Sequence, residues 1–138
     1  FTEYVEYSTK GNAAFFGDAT VNRQSCQGGS NSTRGMFFGG ETPSSSDVID
    51  YITIASLGDM TNWGELSHTG RQLNAGCESA TRGIIGGGYG GNNPADNSVV
   101  NTIQYITFTS QGNSELFGSL SAARRNINAV SDRLVEYS

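Results

Sequence analysis

Few side chains in this sequence could carry out acid–base, nucleophilic or metal chemistry. His68 is the only histidine, and it lies in the polar run Ser67-His68-Thr69-Gly70-Arg71, which is typical of a turn. A Ser/His/Asp triad needs a buried and oriented imidazole, and a histidine metal site needs more nitrogen or sulfur ligands than one residue supplies. We therefore predict no catalytic residue, no metal site and no cofactor, so that the chain is not an enzyme.

Two arginines in matching contexts are the remaining candidate ligand contacts. Thr33-Arg34-Gly35 is matched by Thr81-Arg82-Gly83, and Arg133 is a candidate third copy. Such arginines could line an axial channel and bind an anion through charge-assisted hydrogen bonds. A repeated arginine more often makes the same structural hydrogen bonds in every copy, and we favour that interpretation.

A calcium site is also disfavoured. The loop from Gly90 to Asn97 is rich in side-chain oxygens, but it lacks the alternating acidic residues of an EF-hand loop. The sequence predicts a surface loop at this position.

The elements that position these residues form an internal repeat. The run Tyr51-Ile52-Thr53-Ile54-Ala55-Ser56-Leu57-Gly58 has counterparts beginning at Tyr4 and Tyr105, at intervals of 47 and 54 residues. An aromatic residue followed by glycine comes twelve residues after each leading tyrosine. The repeat-defining residues are Tyr4, Tyr51 and Tyr105, then Phe16, Trp63 and Phe117, and the glycines Gly39, Gly40, Gly86 and Gly87. A further column contains Arg23, Arg71 and Arg125. A period near fifty residues indicates stacked supersecondary units.

Each repeat predicts four short strands separated by turns. In the first whole copy we place them near Arg23–Gln27, Gly35–Phe38, Val48–Ser56 and Asn62–Leu66. The third strand carries apolar groups on both faces, which suits a sheet packed between two others. The glycine clusters close the second strand, where backbones converge or the turn requires a positive φ.

The fold predicted from this pattern is an all-β propeller of four-stranded antiparallel blades within one domain. A single such sheet cannot bury both faces, whereas radial stacking does so and leaves only short edges. A β-solenoid would also stack repeats, but its coils are usually shorter. The predicted units are approximately 1–18 (half a blade), 19–66, 67–120 and 121–138 (half a blade).

The repeat resembles known propeller repeats. An apolar strand followed by Gly-Gly, then an alternating strand with tyrosine and a later aromatic residue, resembles the kelch type. The fuller string from Arg34 to Gly40, with that from Val48 to Ser56, looks like repeat arrays of marine bacteriophage virion and tail-fibre proteins. This second resemblance implies a noncatalytic virion structural or host-attachment role. Some kelch-like propellers are copper oxidases, but one histidine makes that chemistry improbable here.

The half blades predicted at the two ends of the sequence complement each other. One closed ring would have only three blades, below the four to eight that propellers use. Either the chain is an excerpt of a longer array, or chains associate so that one completes the blade of another. We favour a homodimer of six blades formed by strand exchange. Cys26 and Cys77 fall in different repeat columns, so we predict free, largely buried thiols.

The composition of the chain restricts the classes of partner that it could bind. A net charge of −5, with eight scattered Lys and Arg residues, argues against binding of nucleic acid. No apolar run is long enough to cross a bilayer, so no membrane insertion is predicted. We expect a soluble protein of the virion or extracellular space. Its partners would be other copies of itself, other virion proteins or cell-surface glycans, and a carbohydrate-binding lectin is the alternative function.

Overall fold

Every regular element in the described part of the chain is a β-strand. The structure, a computed structural model, describes residues 1–67, 74–90 and 98–131, and these ranges contain no helix. All the strand pairs within them are antiparallel. The predicted all-β class is confirmed.

The strands form two four-stranded sheets and two smaller pairs. The N-terminal pair consists of β1 (Thr2–Tyr4) and β2 (Ala14–Gly17). Sheet A has the order β3-β4-β7-β8, with β3 (Gln27–Ser30), β4 (Arg34–Phe38), β7 (Val48–Thr53) and β8 (Thr61–Glu65). A short hairpin, β5 (Glu41–Thr42) with β6 (Ser44–Ser45), projects from it. Sheet B has the order β9-β10-β11-β12, with β9 (Ala75–Glu78), β10 (Arg82–Gly86), β11 (Thr102–Thr107) and β12 (Ser110–Ser119).

Sheets A and B are copies of one unit. Tyr51 of β7 lies opposite Met36 of β4, and Tyr105 of β11 lies opposite the corresponding Ile84 of β10. The N-terminal pair corresponds to the last two strands of that unit, because Tyr4 aligns with Tyr51. The longer second interval of the repeat leaves this register intact, although residues 91–97 lie outside the described residues.

The first strand of the repeat begins later than predicted. We placed it near Arg23–Gln27, whereas β3 runs from Gln27 to Ser30. Ser25 has a left-handed backbone with a φ of 59°, which interrupts an extended run before Gln27. Two consecutive glycines, which disfavour strands by propensity, lie inside β3.

The glycine pairs that follow β4 and β10 serve both of the purposes proposed for them. Gly39 and Gly40 have φ values of 61° and 100°, and Gly87 and Gly88 have values of 61° and 106°. A Cβ on Gly40 would also lie 2.6 Å from the carbonyl oxygen of Gln24. Positive φ and close backbone approach therefore both require glycine here. Gly86 differs from its neighbours because it lies inside β10, at the position that Phe38 occupies in sheet A.

The main hydrophobic core lies between sheets A and B. Its buried members are Met36, Phe38, Ile49, Trp63, Leu66, Ile85, Ile106 and Phe108. Gly83 admits the ring of Phe38, since a Cβ there would lie 3.1 Å from its Cζ. The successive residues Ile49 and Asp50 are both fully buried, so β7 is covered on its two faces. The third strand of the repeat therefore has buried residues on both of its faces.

Candidate functional site

The repeated aromatic residues are the extra residues of three equivalent β-bulges. In sheet A, Ile49 pairs with Gly64 and Asp50 pairs with Asn62, so Trp63 is left without a partner across the strands. The same shift in register skips Phe16 in the N-terminal pair and Phe117 in sheet B. A bulge redirects the side chain of its extra residue and bends the strand. This feature explains why every copy has an aromatic residue followed by glycine at the same spacing.

Each bulged aromatic packs edge-on against the leading tyrosine of its own repeat. The ring centroids are 5.9 Å apart for Tyr4 and Phe16, 5.4 Å for Tyr51 and Trp63, and 6.1 Å for Tyr105 and Phe117. The interplanar angles are 87°, 83° and 76°, which are T-shaped arrangements. The structure thus brings all six aromatic residues of the sequence pattern together in pairs.

The two repeated arginines lie on these aromatic pairs. The Arg34 guanidinium is 5.3 Å from the centroid of Tyr51 and 5.0 Å from that of Trp63. Its Nη1 donates a hydrogen bond to the carbonyl oxygen of Phe108 in sheet B. Arg82 lies 4.8 Å above the ring of Tyr105. These contacts favour the structural interpretation over an anion site, and Arg133 lies outside the described residues.

Where two neighbouring layers meet, the chain forms a contact that we call a seam. In the first seam, between the N-terminal pair and sheet A, the turn Gly58-Asp59 packs against Phe16-Gly17-Asp18. The backbone nitrogen of Gly58 donates to the carbonyl of Phe16 at 3.0 Å. Asp59 Oδ1 accepts from the backbone nitrogen of Asp18 at 2.9 Å. A Cβ on Gly17 would overlap the Gly58 carbonyl oxygen, so glycine is required there.

The second seam, between sheets A and B, repeats the first with different side chains. Here the turn Gly112-Asn113 packs against Trp63-Gly64-Glu65, and Asn113 Oδ1 accepts from the backbone nitrogen of Glu65 at 3.0 Å. A Cβ on Gly64 would overlap the carbonyl oxygen of Gly112. Each seam therefore joins a Gly-Asx turn of one layer to an aromatic-Gly bulge of the layer before it.

A buried ion pair links the start of the first whole repeat to its third strand. Arg23 Nη1 lies 2.8 Å from Asp50 Oδ2, and their side chains are 2% and 0% exposed. Thr20 Oγ1 donates to Asp50 Oδ1 at 2.7 Å. A buried charge is tolerated only when it is paired and hydrogen-bonded, which this carboxylate is.

Sheet B replaces that charged cluster with a neutral one. Gln104 occupies the position of Asp50 and is also fully buried. Its Oε1 accepts from the backbone nitrogen and the hydroxyl of Ser67, each at 2.9 Å, and from the hydroxyl of Ser114. Ser67 stands in the same repeat column as Thr20. Arg71, the counterpart of Arg23, lies outside the described residues.

The described residues include no group of three or more His, Cys, Asp or Glu side chains close enough to hold a metal ion. Cys26 and Cys77 are free thiols, but both are half-buried and not largely buried as predicted. Burial, with a smaller effect of the Glu78 carboxylate, raises the pKa of the Cys77 thiol and disfavours the reactive thiolate. His68 lies outside the described residues.

A cavity of about 310 Å³ lies between the N-terminal pair and sheet A. Phe1, Arg23, Cys26, Phe37 and Met60 are among its lining residues. Phe1 is 76% exposed, so the cavity is open on that side. It is bordered by β1, whose second edge has no strand beside it in the described part of the chain.

Two sets of residues were missed at the sequence level. The Gly-Asx turns carried a visible signal, because Gly11-Asn12, Gly58-Asp59 and Gly112-Asn113 align in all three copies of the repeat. Asp50 and Thr20 carried almost none, since their counterparts are Gln104 and Ser67. Acid–base pairing in one copy and amide–hydroxyl pairing in the other do not look alike in an alignment.

No helix long and apolar enough to cross a membrane is present in the part of the chain that the structure describes. No protein-family model matches the chain, and a search of curated proteins finds no significant match.

Proposed function

We propose that this chain is a noncatalytic β-propeller module that serves in virion or extracellular assembly, or in attachment to a host surface. Sheets A and B are its two whole blades, and the N-terminal pair is half of a third. Two chains together form a ring of six blades. In that ring, the C-terminal residues of each chain complete the N-terminal half blade of the other.

The observation that carries this proposal is the repeated seam. Both contacts between layers use the same Asx hydrogen bond and the same glycine packed under a carbonyl, so each layer presents one type of surface to the layer before it and another to the layer after it. Such a unit stacks repeatedly in one direction. Radial stacking with closure is the arrangement that leaves only short sheet edges.

Completion by a second chain is supported by what surrounds the N-terminal pair. Glu3 of β1 stands in the repeat column of Asp50 but is exposed. The partner of Asp50 is Arg23, and Arg125 of the C-terminal residues stands in the column of Arg23. The cavity beside β1 borders the region that the first two strands of a whole blade would occupy. A complementary half blade would pair Glu3, cover β1 and fill this space.

A binding role without catalysis fits the distribution of side chains. The described residues hold no clustered metal ligands, and the residues that repeat are engaged in packing. The hairpin β5–β6 and the connection between β10 and β11 lie at equivalent positions of the repeat. Loops on a rigid scaffold vary freely, so they are the natural place for recognition of a partner.

The oligomeric state of the purified 138-residue chain tests this proposal. We expect light scattering to give twice the mass of the chain, and electron microscopy to show six lobes around an axis. Deletion of Phe1–Thr9 removes β1, so the truncated chain should lose the dimer. A truncated chain that keeps the mass of the dimer, or an intact chain that stays monomeric, contradicts the proposal.

The lectin alternative rests on the repeated aromatic residues and has weaker support. Phe16 and Trp63 are only 6% and 2% exposed, so they offer no ring for a sugar to stack on. Phe117, at 54%, offers one. A glycan array that shows no binding would remove this alternative.

A further inference from the structure

One face of sheet B carries half of a seam on which no described residue is docked. Phe117 is the bulged aromatic of that sheet, yet it is 54% exposed, against 6% for Phe16 and 2% for Trp63. A Cβ on Gly118 would meet no atom within 4 Å, whereas the equivalent Gly17 and Gly64 are covered by a carbonyl. Of the three aromatic-Gly bulges, the one in sheet B is therefore uncovered.

The other half of a seam lies in the N-terminal pair. The connection between β1 and β2 contains Gly11-Asn12, which aligns with Gly58-Asp59 and Gly112-Asn113. Asn12 is exposed, and within the described part of the chain its side chain makes no hydrogen bond to another layer, whereas Asp59 Oδ1 and Asn113 Oδ1 each accept one. Of the three Gly-Asx turns, this one faces away from sheet A, because the N-terminal pair contacts sheet A through Phe16-Gly17.

These two halves cannot meet within one chain. The N-terminal pair packs on one side of sheet A through the first seam, and sheet B packs on the other side through the second. Sheet A therefore separates Gly11-Asn12 from Phe117-Gly118 of the same molecule. A second molecule has no such obstacle.

We propose that the exposed face of sheet B is the docking surface for the N-terminal pair of a second copy of this chain, in a third seam. This inference rests on the pairing of two chains in the proposed function, and it names the contact between them. Asn12 of one copy accepts a hydrogen bond at Oδ1 from the backbone nitrogen of Ser119 of the other. The carbonyl of Gly11 packs over Gly118, and Phe117 becomes buried.

A further contact follows from the same column alignment. Arg34 of sheet A donates to the carbonyl of Phe108 in sheet B, across the second seam. Arg82 is the counterpart of Arg34, and Tyr7 is the counterpart of Phe108. Arg82 is exposed and Tyr7 is fully so, at 104%. In the third seam, Arg82 of one copy donates to the carbonyl of Tyr7 of the other.

The contact is head-to-tail, because the two surfaces that meet are different. Such a contact forms a closed ring when the rotation between copies closes, and an open filament when it does not. A two-fold rotation about the propeller axis gives two identical third seams and a closed ring.

The substitution Gly118→Val tests the docking surface directly. The free chain has room for this side chain, so its far-UV circular dichroism and unfolding midpoint should match those of the unaltered chain. In the dimer the valine would overlap the backbone of the docked turn. We therefore expect the dissociation constant of the dimer to rise by a factor on the order of ten or more. Sedimentation over a range of concentrations measures this change. A Gly118→Val chain that dimerises as well as the unaltered chain overturns the inference.

Disulfide trapping tests the partner and the direction of the contact. In a background of Cys26→Ser and Cys77→Ser, one chain carries Asn12→Cys and a second carries Ser119→Cys. Oxidised glutathione should give far more crosslinked dimer in the mixture than in either chain alone. Glu65 and Asn113 are the counterparts of Ser119 and Asn12 in the second seam. A single chain that carries Glu65→Cys and Asn113→Cys therefore calibrates the yield of disulfide expected from this geometry. If the disulfide of this calibrating pair forms and the mixture does not crosslink, the inference is wrong. If the calibrating pair stays reduced, the inference is decided by whether the Gly118→Val chain dimerises in the sedimentation experiment.

Failure of this inference is distinguishable from failure of the proposed function. A dimer of six lobes that depends on Phe1–Thr9 but tolerates Gly118→Val removes only the third seam. An intact chain that stays monomeric removes both.

Discussion

Sheets A and B have the same strand order, the same bulge and the same aromatic pair, but different surroundings. Among the described residues, sheet A has a layer on each face, whereas sheet B has a layer on one face only. Trp63 is consequently buried in sheet A, and its counterpart Phe117 is half-exposed in sheet B. Burial in this protein is thus set by the neighbouring layer and not by the position in the repeat.

The two sheets also differ in what they bury at equivalent positions. Sheet A buries the ion pair of Arg23 and Asp50, whereas sheet B buries the neutral Gln104 with two serine hydroxyls. A buried ion pair loses hydration on both partners, and removal of one partner leaves an uncompensated charge. Removal of a neutral amide leaves only uncharged groups without hydrogen-bond partners, which costs less free energy. The same fold therefore accommodates a charged and a neutral buried cluster, and we expect the stability of the protein to be more sensitive to substitution in the charged one.

The largest expected effect is that of truncating the bulged aromatic of sheet A. Trp63→Ala should lower the free energy of unfolding by about 3–5 kcal/mol, because it removes a fully buried ring and leaves a cavity. Phe117→Ala should lower it by less than about 1 kcal/mol in the monomer, because that ring is half-exposed. Urea unfolding at a concentration where the chain is monomeric measures both. Equal losses would mean that Phe117 is covered in the free chain.

The next effect concerns the buried ion pair. Asp50→Ala should lower the free energy of unfolding by about 3 kcal/mol, at the low end of the range for a broken buried pair, because Arg23 Nη2 keeps a long contact with the Phe37 carbonyl. Gln104→Ala serves as the matched control and should cost about 1–2 kcal/mol, since it breaks neutral hydrogen bonds. Urea unfolding again gives the comparison. A larger loss for Gln104→Ala would show that the amide cluster is the stronger of the two.

The smallest expected effect is on the pKa of a surface tyrosine in sheet B, next to a position where the two sheets carry different residues. Tyr105 donates to Glu115 Oε2 at 2.6 Å, and Thr61 occupies the position of Glu115 in sheet A. The hydrogen bond to this carboxylate raises the pKa of Tyr105, because it stabilises the protonated phenol. Glu115→Ala should lower that pKa toward its ordinary value, and Thr61→Ala is the matched control. Ultraviolet titration of each variant against the same variant with Tyr105→Phe isolates the signal of this phenol. An unchanged titration in Glu115→Ala would contradict the assignment.

Much of the local structure was predictable from residue types and spacing. Alternating apolar residues around Tyr51 predicted β7, and the pairs after Phe38 and Gly86 predicted tight turns, because only glycine adopts positive φ at low cost. The start of β3 was not predictable in this way. Gly28 and Gly29 argue against a strand by propensity, yet β3 contains them. Its backbone packs closely on sheet B, where a Cβ on Gly76 would lie 3.0 Å from the carbonyl oxygen of Gly28.

By itself, the sequence determined the repeat, the all-β class and the residues that each copy shares, because these depend on periodicity and on backbone preferences within a short stretch of chain. Only the tertiary structure decided which of those shared residues are buried. Phe16, Trp63 and Phe117 are equivalent in the sequence, and they differ in exposure because two of them have a Gly-Asx turn docked against them and one does not. The two seam hydrogen bonds join residues 41 and 48 positions apart, and no local pattern reports them.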